Sequence, residues 1–468
     1  MSPSKSFSKT MEENIEAIKS AVYDTEDLKM RDLIFLNTSY KLIYMNSLVD
    51  KKGLEQNMIA PLLECKSETV PEAVIKNAEY SRTSDLEVVV NGLLEGSCVL
   101  LTEGEPTVLT MPVAGSADRA IQEPENEHTI TGSHDGFIEN IEKNILLIRR
   151  RVKNPSIRIK NYTLGTKTKT KVAILYLDEL VEHGPLEVLF QRMDNIDVAE
   201  LQSTGELEEL IEDDSFSLFP QMMNTERPDR AASYLVEGKS IILVDGNPNV
   251  LISPITFFSF YQSPDDYNSR WLVGSFFRLI RIFSFLVALC LPAIYIAVVS
   301  FHSEVLPLWI LYAIRVQIAY VPLPPLYEAI AMQLALELLK EAAIRLPSPI
   351  AQTVGIVGGL VIGSAVVEAG FVSNTMIVVI ALTAIASFVA PVNKMGTGAR
   401  LMAFPIMLAA NTFGFVGIVL SLTVLLIHLC RLESFGKPYL EPVAPLRIRG
   451  LKDSLIKTKK RNDSLKQT

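Results

Sequence analysis

The chain has 468 residues, 49% of them apolar, and a formal net charge of −9. The length allows two or three domains, and the acidic balance, with no long basic patch interleaved with aromatics, argues against a nucleic-acid binder. Cys65, Cys98, Cys290 and Cys430 are far apart, so neither metal-ligand spacing nor a disulfide framework is expected. Apolarity is uneven, with residues 1–270 reading as soluble protein and 271–430 as membrane.

The start, MSPSKSFSKTMEENIEAIKS, carries no apolar h-region. No secretory signal is therefore expected, and the soluble part is placed in the cytoplasm. Residues 1–29 are read as a helical or flexible segment.

A duplication follows. Residues 93–113, LLEGSCVLLTEGEPTVLTMPV, align without gaps on 235–255, LVEGKSIILVDGNPNVLISPI, with nine of 21 positions identical at an offset of 142. Each copy predicts a hairpin: an apolar run (98–101; 241–244), a Glu103-Gly104 or Asp245-Gly246 turn, then a second run ending at proline. Upstream, IYMNSLVDKKGLE (43–55) resembles LYLDELVEHGPLE (175–187), a strand entering a helix. Two related α/β subdomains are expected, within 30–115 and 170–270. GPLEVLFQ (184–191) resembles an engineered protease site, but its counterpart GLEQNM in the first copy assigns it to the fold.

Between the copies, 116–169 is read as a linker loop followed by a helix. GFIENIEKNILLIRRRV (136–152) is amphipathic through Ile138, Ile141, Ile145 and Ile148. It ends in Arg149, Arg150 and Arg151, which fit a contact with a partner, acidic lipid or the acid-rich run Glu206–Asp214, or a solvated helix end complementing the dipole.

Trp271, Arg278 and Arg281 read as an interfacial anchor before the first span. Spans are expected at about 282–300, 351–370, 373–391 and 401–429. Residues 305–345 are interrupted by prolines and carry Glu337, Glu341 and Arg345 on one helical face, so they are read as re-entrant or interfacial. The tail 431–468 holds ten Lys/Arg against four acids. With the arginines before the first span, it puts both termini in the cytoplasm and demands an even number of crossings. Four spans, or six if 305–320 and 326–345 also cross, both place Glu368 at the cytoplasmic mouth.

Residues 348–391 hold Glu368 as their single charge. At 100° per residue, Gly355, Gly359 and Gly363 share one face, and Thr353, Val357, Leu360, Ser364 and Glu368 form a stripe about 140° away. The glycines permit close helix packing. The stripe fits a pore lining; ordinary small-residue packing with Glu368 snorkelling to the interface also fits.

Enzyme chemistry finds no support in the sequence. The five histidines make no H-E-x-x-H, no phosphate-binding or dinucleotide-binding glycine loop appears, and Ser364 and Ser373 have no neighbouring base. The acids Glu212, Asp213 and Asp214 read as a solvated run. No catalytic residue, metal or cofactor is expected.

GFIENIEKNILLIRRRV, KTKVAILYLDEL, LEELIEDDSFSLFPQMMNTERPDR, QSPDDYNSRW, ELLKEAAIRLPSPIAQTVGIVGGLVIGSAVVEAG and SFGKPYLEP occur in order over about residues 136–440. This series resembles the A subunit of the nutrient germinant receptors of spore-forming bacteria, the GerA family. Ala351 and Ser364 stand where the pattern has Gly and Gln. The resemblance implies an α/β cytoplasmic region of two duplicated subdomains followed by an α-helical polytopic membrane domain in the spore inner membrane. It implies assembly with a transporter-like B subunit and a lipoprotein C subunit, and a ring of A subunits forming a nutrient-gated ion channel. It favours the pore over simple packing, over a non-conducting scaffold working through Arg149–Arg151, and over a carrier.

Overall fold

The computed structural model describes residues 7–35, 38–61, 80–115, 123–124, 127, 129, 132–447, 450 and 454. They form two compact units. The first comprises 1–213, 221–255 and 434–437, and the second 214–220, 256–433 and 438–468.

In the first unit, α1 (Met11–Ala21) precedes β1 (Leu28–Phe35), β2 (Thr38–Met45), α2 (Lys51–Leu54), β3 (Ser81–Thr83), α3 (Leu86–Leu94), β4 (Ser97–Thr102) and β5 (Val108–Pro112). After α4 (Ile141–Arg151) come β6 (Ile157–Leu164), β7 (Thr170–Leu177), α5 (His183–Asp194), α6 (Thr204–Ile211), β8 (Met223–Thr225), α7 (Pro228–Val236), β9 (Ser240–Val244) and β10 (Val250–Ser253). The sheets have the same topology, β1-β2-β4-β5-β3 and β6-β7-β9-β10-β8. The repeat read from the sequence is thus a repeat of structure. In both hairpins the registers correspond, with Leu100 opposite Leu109 and Ile242 opposite Leu251.

The glycines kept in both copies explain part of the match. Gly96 and Gly238 follow α3 and α7 with φ of +89° and +81°. A Cβ on Gly96 would sit 2.8 Å from the Leu48 carbonyl oxygen, and one on Gly238 would sit 2.3 Å from that of Leu180. Both helices therefore stop on a left-handed residue that also lets a loop approach the backbone, which only glycine permits.

Each subdomain has its own apolar core. The first joins Leu42, Leu100 and Met111 to Leu54 and Met58. The second joins Ile174, Ile242 and Leu251 to Leu186, Leu189 and Phe435. Leu186 and Leu189 come from the protease-site-like run, which lies inside α5. Burial pushes the Cys98 thiol up to about 12, so it stays protonated and behaves as a core residue.

One boundary differs from expectation. The second sheet begins with β6, inside the stretch read as linker, because IRIKNYTL has polar residues at its solvent-facing positions. The arginines ending α4 are engaged within the first unit, Arg149 buried and Arg150 and Arg151 exposed. Arg149 is 2% exposed, and its Nε lies 3.3 Å from the Asp27 carboxylate. Asp27 also accepts from the Ser47 amide, and Arg149 donates to the Ile157 carbonyl. Arg150 donates to the Gly115 carbonyl, and Arg151 pairs with Asp135 at 2.7 Å. The cluster therefore ties elements of the first unit together. Burial pushes the Arg149 guanidinium below its usual value, and the Asp27 charge opposes that shift.

The second unit is helical: α8 (Pro264–Asn268), α9 (Trp271–Ser300), α10 (Leu308–Ala319), α11 (Pro325–Ile344), α12 (Ser348–Glu368), α13 (Asn374–Phe388), α14 (Asn393–Phe413) and α15 (Phe415–Arg431). Among the described residues, α9 alone is long and apolar enough to cross a membrane by length and composition. α13 and α15 are apolar but shorter. The anchor arginines also turn inward, since Arg278 (1% exposed) and Arg281 share the Asp266 carboxylate at 3.3 and 2.6 Å.

Contacts within this unit fix helix directions. At one end, Tyr295 of α9 lies 3.5 Å from Ser373, whose amide donates to Glu328, and His302 stacks on Phe415 at 4.9 Å. At the other, Phe257 packs on Phe285 and Tyr439, Tyr439 reaches Met395, and Arg400 meets Glu337 and Ser387. Helices α9, α11, α12, α13, α14 and α15 therefore run alternately between these ends. Within the stretch read as re-entrant or interfacial, α11 is one continuous 20-residue helix. The expected 401–429 span is two helices turned at Gly414, where φ is +60°. Glu368, in the last turn of α12, lies toward the Tyr295 end of the unit, away from Arg278 and Arg281.

Two stability outcomes follow. Gly238→Ala should lower stability by about 2 kcal/mol or more through left-handed strain and the Leu180 clash, whereas Gly184→Ala in open helix should be neutral or slightly stabilising. Asp27→Ala strands a buried guanidinium and should cost about 3 kcal/mol. Glu142→Ala, which breaks a half-exposed pair with Lys51, should cost under about 1 kcal/mol. Thermal unfolding of the detergent-solubilised chain, read by circular dichroism, checks both comparisons.

Candidate functional site

The candidate site is α12 with the helices beside it. Pro347 and Pro349 set its start, because proline is tolerated in the first turn, where the amide has no intrahelical partner. Its principal partner in the chain is α11. Thr353, Ser364 and Glu368 are exposed. The side chains of Val357 and Leu360 lie outside those described.

Within the chain, the glycine face of α12 is open. A Cβ on Gly355, Gly359 or Gly363 would meet nothing within 4 Å. Gly358, one position away, makes the close approach, 3.1 Å from a would-be Cβ to Leu339 of α11. The three glycines instead line a cavity of about 390 Å³ between α11, α12 and α13. Its described walls are otherwise aliphatic, apart from Phe388 and Lys340.

Polar groups buried among the helices were not anticipated. Glu328 is fully buried in the first turn of α11; one carboxylate oxygen accepts from the Ser373 amide at 2.9 Å, and the other has no partner. Gln333 is 1% exposed, and among the described residues neither of its side-chain polar atoms has a partner. Arg400, 2% exposed, pairs with Glu337 and donates to Ser387 and Thr397. The sequence puts Glu337 with Glu341 and Arg345 on one face of a re-entrant or interfacial helix. The Glu341–Arg345 pair is indeed exposed, but Glu337 faces Arg400. A lone arginine in GTGARLMAF was the available signal, since a cation in an apolar helix needs a carboxylate partner.

The acid run is structural as well. Asp213 pairs with Arg192 at 2.6 Å and accepts from the Phe435 amide. In the same segment Ser434 accepts from the Ile255 amide and donates to the Gln221 carbonyl. Among the described residues no three His, Cys, Asp or Glu side chains gather as a metal would require.

Known proteins share this chain's sequence along nearly its whole length. The profile of the Bacillus/Clostridium GerA spore germination protein family matches residues 16–467. Spore germination protein KA of Bacillus subtilis (strain 168) is 36% identical over 461 residues, covering 96% of this chain and 85% of that protein. Spore germination protein B1 of the same organism is 36% identical over 456 residues, covering 96% and 94%. Spore germination protein GerLA of Bacillus cereus is 35% identical over 457 residues, covering 96% and 93%. The crystal structure of the N-terminal domain of the A subunit of the Bacillus megaterium spore germinant receptor GerK3 matches with 25% identity and a TM-score of 0.42, over 54% of this chain and 98% of that one. With a family profile spanning the sequence and relatives above 30% identity, the chain belongs to the GerA family of spore germination proteins.

Proposed function

We propose that this chain is the A subunit of a nutrient germinant receptor of the spore inner membrane, and that several copies assemble through α12 into a ring-shaped, nutrient-gated ion channel. The observation that carries this reading is the state of α12. It is a 21-residue helix with a single charge, one principal partner, and Thr353, Ser364 and Glu368 exposed along one stripe. Hydroxyls and a carboxylate on a spanning helix belong against water or protein, not against hydrocarbon. A ring of copies supplies such a lumen.

In this reading six helices cross, both termini are cytoplasmic, and the first unit lies on the same side as the basic tail. Val357 and Leu360 form the apolar constriction that closes by dewetting, with Thr353 and Ser364 on either side. Glu368 then rings the outer mouth, since it shares the Tyr295 end, and favours cations there. Nutrient binding on a transporter-like B subunit, with a lipoprotein C subunit in the same assembly, shifts the closed–open equilibrium by binding one state better than the other. A scaffold working through Arg149–Arg151 is less well supported, because those side chains are engaged inside the first unit.

Reconstituted vesicles provide the test. Val357→Ala should give nutrient-independent ion leak, and tight vesicles would remove the gate assignment. Glu368→Gln should lower cation-over-anion preference while leaving conductance measurable. Unchanged selectivity would place this residue away from the mouth.

A further inference from the structure

From the cavity between α11, α12 and α13 we infer a built-in site for one acyl chain of an anionic phospholipid of the cytoplasmic leaflet. The inference rests on reading these helices as membrane-spanning, not on conduction. At about 390 Å³ the cavity falls in the range of small-molecule sites, at the lower end of roughly 300–1,000 Å³. It runs beside Gly355, Gly359 and Gly363, about 12 Å of helix at 1.5 Å per residue. A partner helix is about 10 Å across, so this volume would take only about one of its turns. An acyl chain fits the length and the narrow section together.

Charge fixes the orientation. Lys340 is the one charged side chain among the described lining residues, and it sits at the end shared with Arg400, Arg278 and Arg281. Its ammonium stands 5.1 Å from the Phe388 ring centroid, and the Arg400 guanidinium stands 5.9 Å from the same ring. Glu337 is paired with Arg400, whereas Lys340 has no ion pair among the described residues. An unmatched cation at the cytoplasmic end of an apolar slot suits a phosphodiester head at the interface with its chain directed toward the bilayer centre. Glycine at three successive turns keeps the slot open, and any side chain there would project into it.

The test uses the full chain purified in detergent and exchanged into equal amounts of dioleoylphosphatidylglycerol and dioleoylphosphatidylcholine, with retained lipid read by native mass spectrometry. The expected result is one retained phosphatidylglycerol per chain, favoured about fivefold over phosphatidylcholine, the size expected of one basic group. Lys340→Gln should erase the preference but keep a retained lipid. Gly359→Leu should empty the slot with helix content unchanged, since leucine favours helix over glycine. Equal retention of both lipids by the wild type would overturn the inference. So would phosphatidylglycerol retained by Gly359→Leu, displacement by free oleate, or crosslinking of a second copy to residue 359 in place of lipid. A chain that stays dispersed without detergent would instead overturn the membrane reading beneath it.

Discussion

The Asp266 carboxylate is the point on which the helical unit turns. It is 2% exposed and holds two guanidiniums, Arg278 and Arg281, from successive turns of α9. Ser263 and Asp266 also form a capping box that starts α8. Burying a guanidinium costs several kcal/mol unless a carboxylate meets it at close range. Asp266 meets both, so the thirty-residue α9 begins at a defined register. α13, α14 and α15 pack along that helix, and α11 touches it with Glu328 turned toward Ser373. The apolar surfaces supply adhesion, but the ionic start selects which turns face the bundle.

The same logic governs what the sequence could disclose. The duplication was legible because it rests on backbone demands. A left-handed helix stop beside a carbonyl needs glycine, so Gly96 and Gly238 survive where the surrounding side chains diverge. The hairpins were legible through Gly104 and Gly246 and through the apolar runs on either side. β6 was not legible. Its inward residues are Ile157, Ile159 and Leu164, but Lys160, Asn161 and Thr163 between them erase the alternation.

The arginines of α4 and α9 failed for the opposite reason. A cluster of cations reads as surface, and only partners far away in the chain turn it inward. Asp27 lies 122 residues before Arg149, and nothing local announces it. The stretch 401–429 reads as one long helix, but it turns at Gly414, just after Asn411 and Thr412, at one positive φ. Glu337 of α11 reads as one of a polar face with Glu341 and Arg345, because its counter-ion Arg400 lies 63 residues on. Hydropathy measures what a segment would like against lipid. It cannot see that a carboxylate already has its counter-ion.

These pairings also explain why α12 stands apart. Each neighbouring helix is held by a directional contact: α9 through Asp266, α11 and α13 through Glu328 and Ser373, α14 through Glu337. On α12, Gly358 closely approaches Leu339, whereas a Cβ on Gly355, Gly359 or Gly363 would meet open space. Packing between apolar helices in lipid gains no hydrophobic driving force, so the Gly358 approach holds α12 to α11 through van der Waals contact. Polar pairs fix the registers of the neighbouring helices, while the glycine face of α12 opens on the cavity it shares with α11 and α13.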